Sequence, residues 1–115
     1  GSSNVFTGKA LEGERVEFAG VPLRVTGAKL KSGATTPVSI RPHDITISAA
    51  QPSSPDNAVP GTVTRQVFLG GNRDYMVETK DGPQLRIVTP AQDNIPHGSA
   101  VWLHLRAGRC RALAR

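Results

Sequence analysis

The chain has 115 residues, 37% of them hydrophobic and 20% charged, with 12 Gly and 9 Pro; this length supports one domain or two very small ones. No apolar run approaches the roughly 20 residues that cross a bilayer, and a lone cysteine, Cys110, excludes an internal disulfide and a thiolate-rich zinc site. Fourteen Lys and Arg against nine Asp and Glu give a net charge of +5, but no block of five like charges appears, so the basic residues read first as a solvated surface and second as planar contacts for carboxylate or phosphate.

Helical periodicity is nearly absent, and alternation with period two predicts half-buried strands along the chain. In order they are Val16–Phe18, Val21–Val25, Val38–Arg41, Ile45–Ser48, Gly61–Leu69, Arg73–Thr79, Leu85–Val88 and Val101–Arg106. Gly13, Ala19-Gly20, Lys31-Ser32-Gly33, Gly70-Gly71-Asn72 and Pro96-His97-Gly98 supply turns between them. Asp81-Gly82 accepts positive φ cheaply and predicts a hairpin between Tyr75–Thr79 and Leu85–Val88. Residues 49–58 contain two prolines and no large apolar side chain, which reads as a Pro/Ser linker loop. It separates a front β segment, 1–48, from a back half, 59–115. Each half is marginal alone, so the expectation is one composite domain: all-β, an OB-like small barrel of short antiparallel strands.

The only Met is Met76, and Gly1 to Ala10 lacks the basic-then-apolar order of a signal peptide. The expectation is a start inside a longer protein, or an expression remnant at Gly1-Ser2, and a reducing, cytosolic setting.

Little catalytic chemistry is written in the chain. Gly27-Ala28-Lys29-Leu30 comes nearest to a P-loop, and it lacks both the Gly before the Lys and the Mg²⁺-binding hydroxyl after it. His43, His97 and His104 have no second ligand at metal-binding spacing. His43 and Asp44, read as strand neighbours, point to opposite sides and cannot share a triad. Cys110 lies between Arg109 and Arg111, where flanking charge favours a thiolate; a small buried thiol in the last strand is the plainer reading. Single-strand nucleic acid needs a stacking platform, and five aromatics (Phe6, Phe18, Phe68, Tyr75, Trp102) leave little for one once a core is filled.

Val38-Ser39-Ile40-Arg41-Pro42-His43-Asp44-Ile45 resembles the Ile-Arg-Pro-Glu/His segment in the C-terminal regions of ABC importer ATPases. Gly61-Thr62-Val63, Phe68-Leu69-Gly70, Tyr75-Met76-Val77, Asp81-Gly82 and Gly98–Leu103 through Cys110–Leu113 follow in the same order, and Asn4–Gly8 is similar to the segment that enters this region. The pattern resembles the transport-associated OB-like (TOBE) domain found after the nucleotide-binding domain of maltose-, spermidine- and ferric-iron-type importers. Arg106-Ala107-Gly108-Arg109 departs from it, standing where Pro-Glu is common before the Cys; residues 9–36 carry little of it, and the Ser/Thr/Lys loops of molybdate-binding members are not matched.

The resemblance implies a non-catalytic regulatory and dimerisation domain of an importer's ATP-binding subunit. ATP and Mg would then be held only by the ATPase domain of the parent, with no cofactor in this chain. The implied partners are a second copy and the permease subunits, both through the parent, with no nucleic acid; the implied location is the inner face of the cell membrane. A small-oxyanion-binding OB-like domain is the alternative, ahead of a single-strand nucleic-acid barrel. Candidate interface residues are Arg41, His43, Phe68, Leu69, Arg73, Tyr75 and Trp102. Pro42 holds Arg41 extended and ends its strand. Phe68 reads first as core; Arg73 and Tyr75 follow the Gly70-Gly71 turn; Trp102 sits opposite the apolar face of Val101, Leu103 and Leu105, facing the front half or another chain.

Overall fold

The computed structural model describes every residue except Gly1, Asp81, Asp93 and Arg115. The described chain is all-β, two curled sheets with no α-helix. The first sheet contains β1 (Asn4–Leu11), β2 (Arg15–Phe18), β3 (Val21–Arg24), β4 (Thr26–Gly27), β5 (Thr35–Ile40) and β11 (Arg111–Ala112), in the order β3-β2-β1-β5-β11-β4. The second contains β6 (Ile45–Ser48), β7 (Ala58–Leu69), β8 (Asn72–Thr79), β9 (Gln84–Pro90) and β10 (Ala100–Leu105), in the order β6-β10-β7-β8-β9. Short 3-10 turns at Pro42–Asp44 and Ala107–Arg109 carry the chain from one sheet to the other.

The alternation seen in the sequence places one side of each strand inside. Val38 and Ile40 of β5, Tyr75 and Val77 of β8, Leu85 and Ile87 of β9, and Val101, Leu103 and Leu105 of β10 are all buried and join one core with Phe6, Val16 and Phe18 from the first sheet. The Phe6 and Phe18 rings meet at 4.1 Å between centroids, tilted by 36°. The residues between them in sequence face outward, which is what strands covered on one side only require.

The two halves of the chain exchange strands. β6, from the front segment, pairs antiparallel with β10 from Leu103↔Ile47 outward. β11, from the end of the chain, pairs with β5 at Arg111↔Ser39 and runs parallel to β4 at Ala112↔Gly27. Gly27 has φ +101, and a Cβ there would lie 2.5 Å from the Ala112 carbonyl oxygen, so a glycine is what lets these two strands approach.

The segment 49–58 is irregular as far as Pro55, then turns through Asp56 and Asn57 into β7. β8 and β9 pair antiparallel from Asn72↔Pro90 to Glu78↔Gln84, as the hairpin expectation requires, and the Gly82 N–H donates to the Thr79 carbonyl at 3.4 Å; the expected turn residue Asp81 lies outside the described residues.

Candidate functional site

Two places gather six of the seven residues singled out by sequence, and they lie in different parts of the fold. The first is a cleft of about 670 Å³ lined by Arg41, His43, Arg109 and Arg111, with Ser39 and Asp44 among its other walls. Its shape follows from local sequence. Arg41 has φ −75° and ψ 146°, the extended conformation that a following proline imposes, so β5 ends and Pro42 opens the 3-10 turn. The Asp44 N–H donates to the Arg41 carbonyl at 3.0 Å and closes it. His43 and Asp44 therefore do not alternate across a strand, contrary to the sequence expectation. The turn puts them on one side, with His43 Nε2 3.9 Å from Asp44 Oδ1. Arg111 arrives opposite Ser39 in the β5–β11 ladder, and the Arg106–Arg109 turn, closed by the Arg109 N–H on the Arg106 carbonyl at 3.0 Å, brings Arg109. Arg41, His43, Arg109 and Arg111 are all exposed.

The second place is the outer end of the β7–β8 hairpin. β10 accompanies β7 only as far as Ala100↔Thr62, the register shifts between Val63 and Arg65, and beyond that β7 has β8 alone as a ladder partner. Its last residues run past the core. Phe68 is 58% and Leu69 56% exposed, so the expectation that Phe68 packs in the core is overturned: the strand pattern continues after β10 has left β7. The Arg73 guanidinium stands 5.1 Å from the Phe68 ring centroid, within cation–π range.

The tip is braced from behind. Arg73 Nη1 donates to Gln66 Oε1 at 2.8 Å and Arg73 Nε to the Ala91 carbonyl at 3.1 Å. Gln66 Nε2 donates to Asn94 Oδ1 and to the Ile95 carbonyl at 2.8 and 2.5 Å. The Ile95 N–H donates to the Tyr75 hydroxyl at 3.1 Å. Tyr75 is fully buried; it supports the tip and does not present a surface. Arg73 is half-buried with Nε and Nη1 engaged in this network, so it fixes Phe68 from below. On the opposite face of the hairpin, Arg86 makes a close ion pair with Asp74 (Nη2 to Oδ2, 2.7 Å; Nε to Oδ2, 2.9 Å). Hydrogen bonding to Asp74, and then its charge, raise the Arg86 pKa above its ordinary value.

Trp102 belongs to neither place. It is half-buried on the outer face of β10, opposite Ser48 of β6 and Pro60 of β7. Cys110 is fully enclosed ahead of β11, and burial pushes its thiol up to about 12; the neighbouring arginines do not activate it. No group of three or more His, Cys, Asp or Glu stands at metal-binding distance among the described residues.

Two asparagines went unnoticed in the sequence. Asn57, 1% exposed, accepts from the Arg24 N–H at 2.8 Å through Oδ1 and donates through Nδ2 to the Arg24 and Leu105 carbonyls at 3.0 and 2.6 Å. Asn4 uses both ends of its amide on Arg86, accepting from its N–H at 2.8 Å and donating to its carbonyl at 2.9 Å, which joins the start of β1 to the free edge of β9.

Comparison with known proteins bears on this architecture. The TOBE domain family model matches residues 38–113. The chain is 34% identical over 88 residues to the Fe(3+) ions import ATP-binding protein FbpC of Rhizobium etli, a stretch covering 76% of this chain and 24% of that protein; the chain thus spans about a quarter of that relative's length. Among solved structures, it is similar to the cytoplasmic molybdate-binding protein ModG with molybdate bound, at a TM-score of 0.79 and 14% identity, over 95% of this chain and 94% of that one. At that identity the similarity concerns the fold, which is OB-like.

Proposed function

This chain belongs to the TOBE domain family, and on that premise we propose that it is the non-catalytic regulatory domain of the ATP-binding subunit of an importer, held against a second copy through its parent. The observation that carries the reading is the hairpin tip. Phe68 and Leu69 expose apolar surface on a spur that Arg73, Gln66 and Tyr75 hold rigid. An exposed apolar group on a pre-ordered support binds without a large ordering cost. The identity to an iron-import ATP-binding protein supports the importer context. In this reading the chain holds no ATP or Mg; those belong to the ATPase domain of the parent. The domain acts by favouring one arrangement of the paired ATPase domains over another, and anything that touches it shifts that equilibrium only by its differential affinity for the two arrangements.

The test is a Leu69→Asp and a Phe68→Asp variant in the full-length parent, followed by sedimentation and by ATP hydrolysis with and without the permease. Weaker pairing or lost coupling, with basal hydrolysis retained, is the expected result. Unchanged sedimentation together with unchanged coupling refutes it.

A second reading, a small-oxyanion-binding domain, is favoured by the similarity of fold to ModG along nearly the whole of both chains. Calorimetric titration of the chain with molybdate tests it directly, since the regulatory reading needs no such ligand.

A further inference from the structure

We propose that the cleft between the two 3-10 turns binds a small polyanion carrying two or more phosphate-class groups. Charge is the first argument. Arg41, Arg109 and Arg111 line one cleft, and none of the three has an ion pair or a side-chain hydrogen bond among the described residues. Asp44, the carboxylate in the lining, is half-buried and already faces His43 at 3.9 Å. Like charges brought together on adjoining strands oppose folding, and of the lining residues only Asp44 sets a negative charge against these three. An anion bound among them offsets the remainder.

The second argument is construction. Ser39 and Arg111 are ladder partners, Arg41 lies two residues beyond Ser39, and Arg109 two residues before Arg111. The guanidiniums are thus placed by two neighbouring backbones from opposite ends of the sequence. Each guanidinium offers a planar fork suited to two oxygens of one phosphate.

Size and lining select the class of ligand. About 670 Å³ falls in the range of sites for small organic molecules, about 300–1,000 Å³, and a single tetrahedral ion would reach only part of the lining. No Phe, Tyr or Trp borders the cleft, so a base or apolar ring has nothing to stack on, and recognition rests on the anionic groups. The inference is independent of the importer reading, because it concerns this chain alone and not the hairpin tip.

Isothermal titration of the chain with inorganic tripolyphosphate, orthophosphate, molybdate and hexaglutamate, at about 50 mM and at higher salt, tests it. Tripolyphosphate should bind best and weaken with salt. Arg109→Gln and Arg111→Gln should each weaken it roughly ten- to a hundredfold, the range for a hydrogen bond to a charged group. Arg65→Gln, which removes the same charge elsewhere, should not. Arg41→Gln gives a third cleft variant should either of the others fail to melt cooperatively. Equal binding of orthophosphate or molybdate, tighter binding of hexaglutamate, equal loss on Arg65→Gln, or no binding at low salt would each overturn the proposal.

Discussion

Replacing Asn57 by alanine should be among the most damaging single changes outside the apolar core. The side chain makes three hydrogen bonds, one to the Leu105 carbonyl in a buried setting and two to Arg24 in a partly buried one. At about 1 kcal/mol each they amount to about 3 kcal/mol. Water can reach the Arg24 groups once the amide is gone, which lowers the loss to about 2 kcal/mol. Asn57 also has φ +55; asparagine tolerates that region and alanine does not, which adds about 1 kcal/mol. The sum is about 3 kcal/mol, and at about 4 °C per kcal/mol for a domain of this size the melting temperature should fall by about 12 °C. Asn57→Gly separates the two contributions, because it removes the hydrogen bonds and not the conformational fit; it should recover about 1 kcal/mol relative to alanine. Thermal melts followed by circular dichroism measure both. A loss under about 3 °C for the alanine variant, or a glycine variant less stable than the alanine one, refutes the account of Asn57 as a tie between the sheets.

Cys110 gives a pH signature. Its folded-state pKa is raised from 9.0 to about 12 by burial, so its contribution is present in full below pH 9.0 and is lost between there and about 12, at about 1.4 kcal/mol per pH unit. Chemical denaturation at pH 8, 9.5 and 10.5 should show that slope, and Cys110→Ala should lack it. Gly27→Ala drives a Cβ to 2.5 Å from a backbone oxygen that no side-chain rotation can move away, so a loss of about 2 kcal/mol is expected in denaturant titrations, with faster hydrogen exchange at the Ala28 amide, which donates to Ala112 at 2.9 Å. Phe68→Ala removes a ring that is 58% exposed and should leave the melting temperature of the isolated chain within about 2 °C, about 0.5 kcal/mol; a fall of 6 °C or more would return Phe68 to a structural role.

The strands were readable because each is covered on one side. Val101, Leu103 and Leu105 alternate with Trp102 and His104 in sequence and in space, and the proline after Arg41 set both the end of β5 and the shape of one wall of the cleft. Phe68 was misread for a physical reason. Alternation records which side of a strand an atom faces, and it cannot say how far the neighbouring strands of its own sheet accompany it; that limit is set by where β10 leaves β7. Arg109 and Arg111 were visible as charges flanking Cys110, but their proximity to Arg41 depends on the β5–β11 ladder, a pairing of residues more than 70 positions apart. Asn57 was hidden by its neighbours: a stretch of Pro, Ser and Asp reads as solvated, and a single amide at its end acts only through partners remote in sequence.

The crossing of β6 and β11 into the opposite sheets carries a consequence for how this molecule tolerates being cut. A protease that severed the exposed stretch between Ala49 and Pro55 would free two polypeptides, yet each would still own a strand paired into the other's sheet, β6 at an edge and β11 between two strands. The nicked species should behave as one particle under native conditions and come apart only in denaturant. Neither piece is a cassette that recombination can transplant by itself, and fragments expressed separately should find each other and restore the whole.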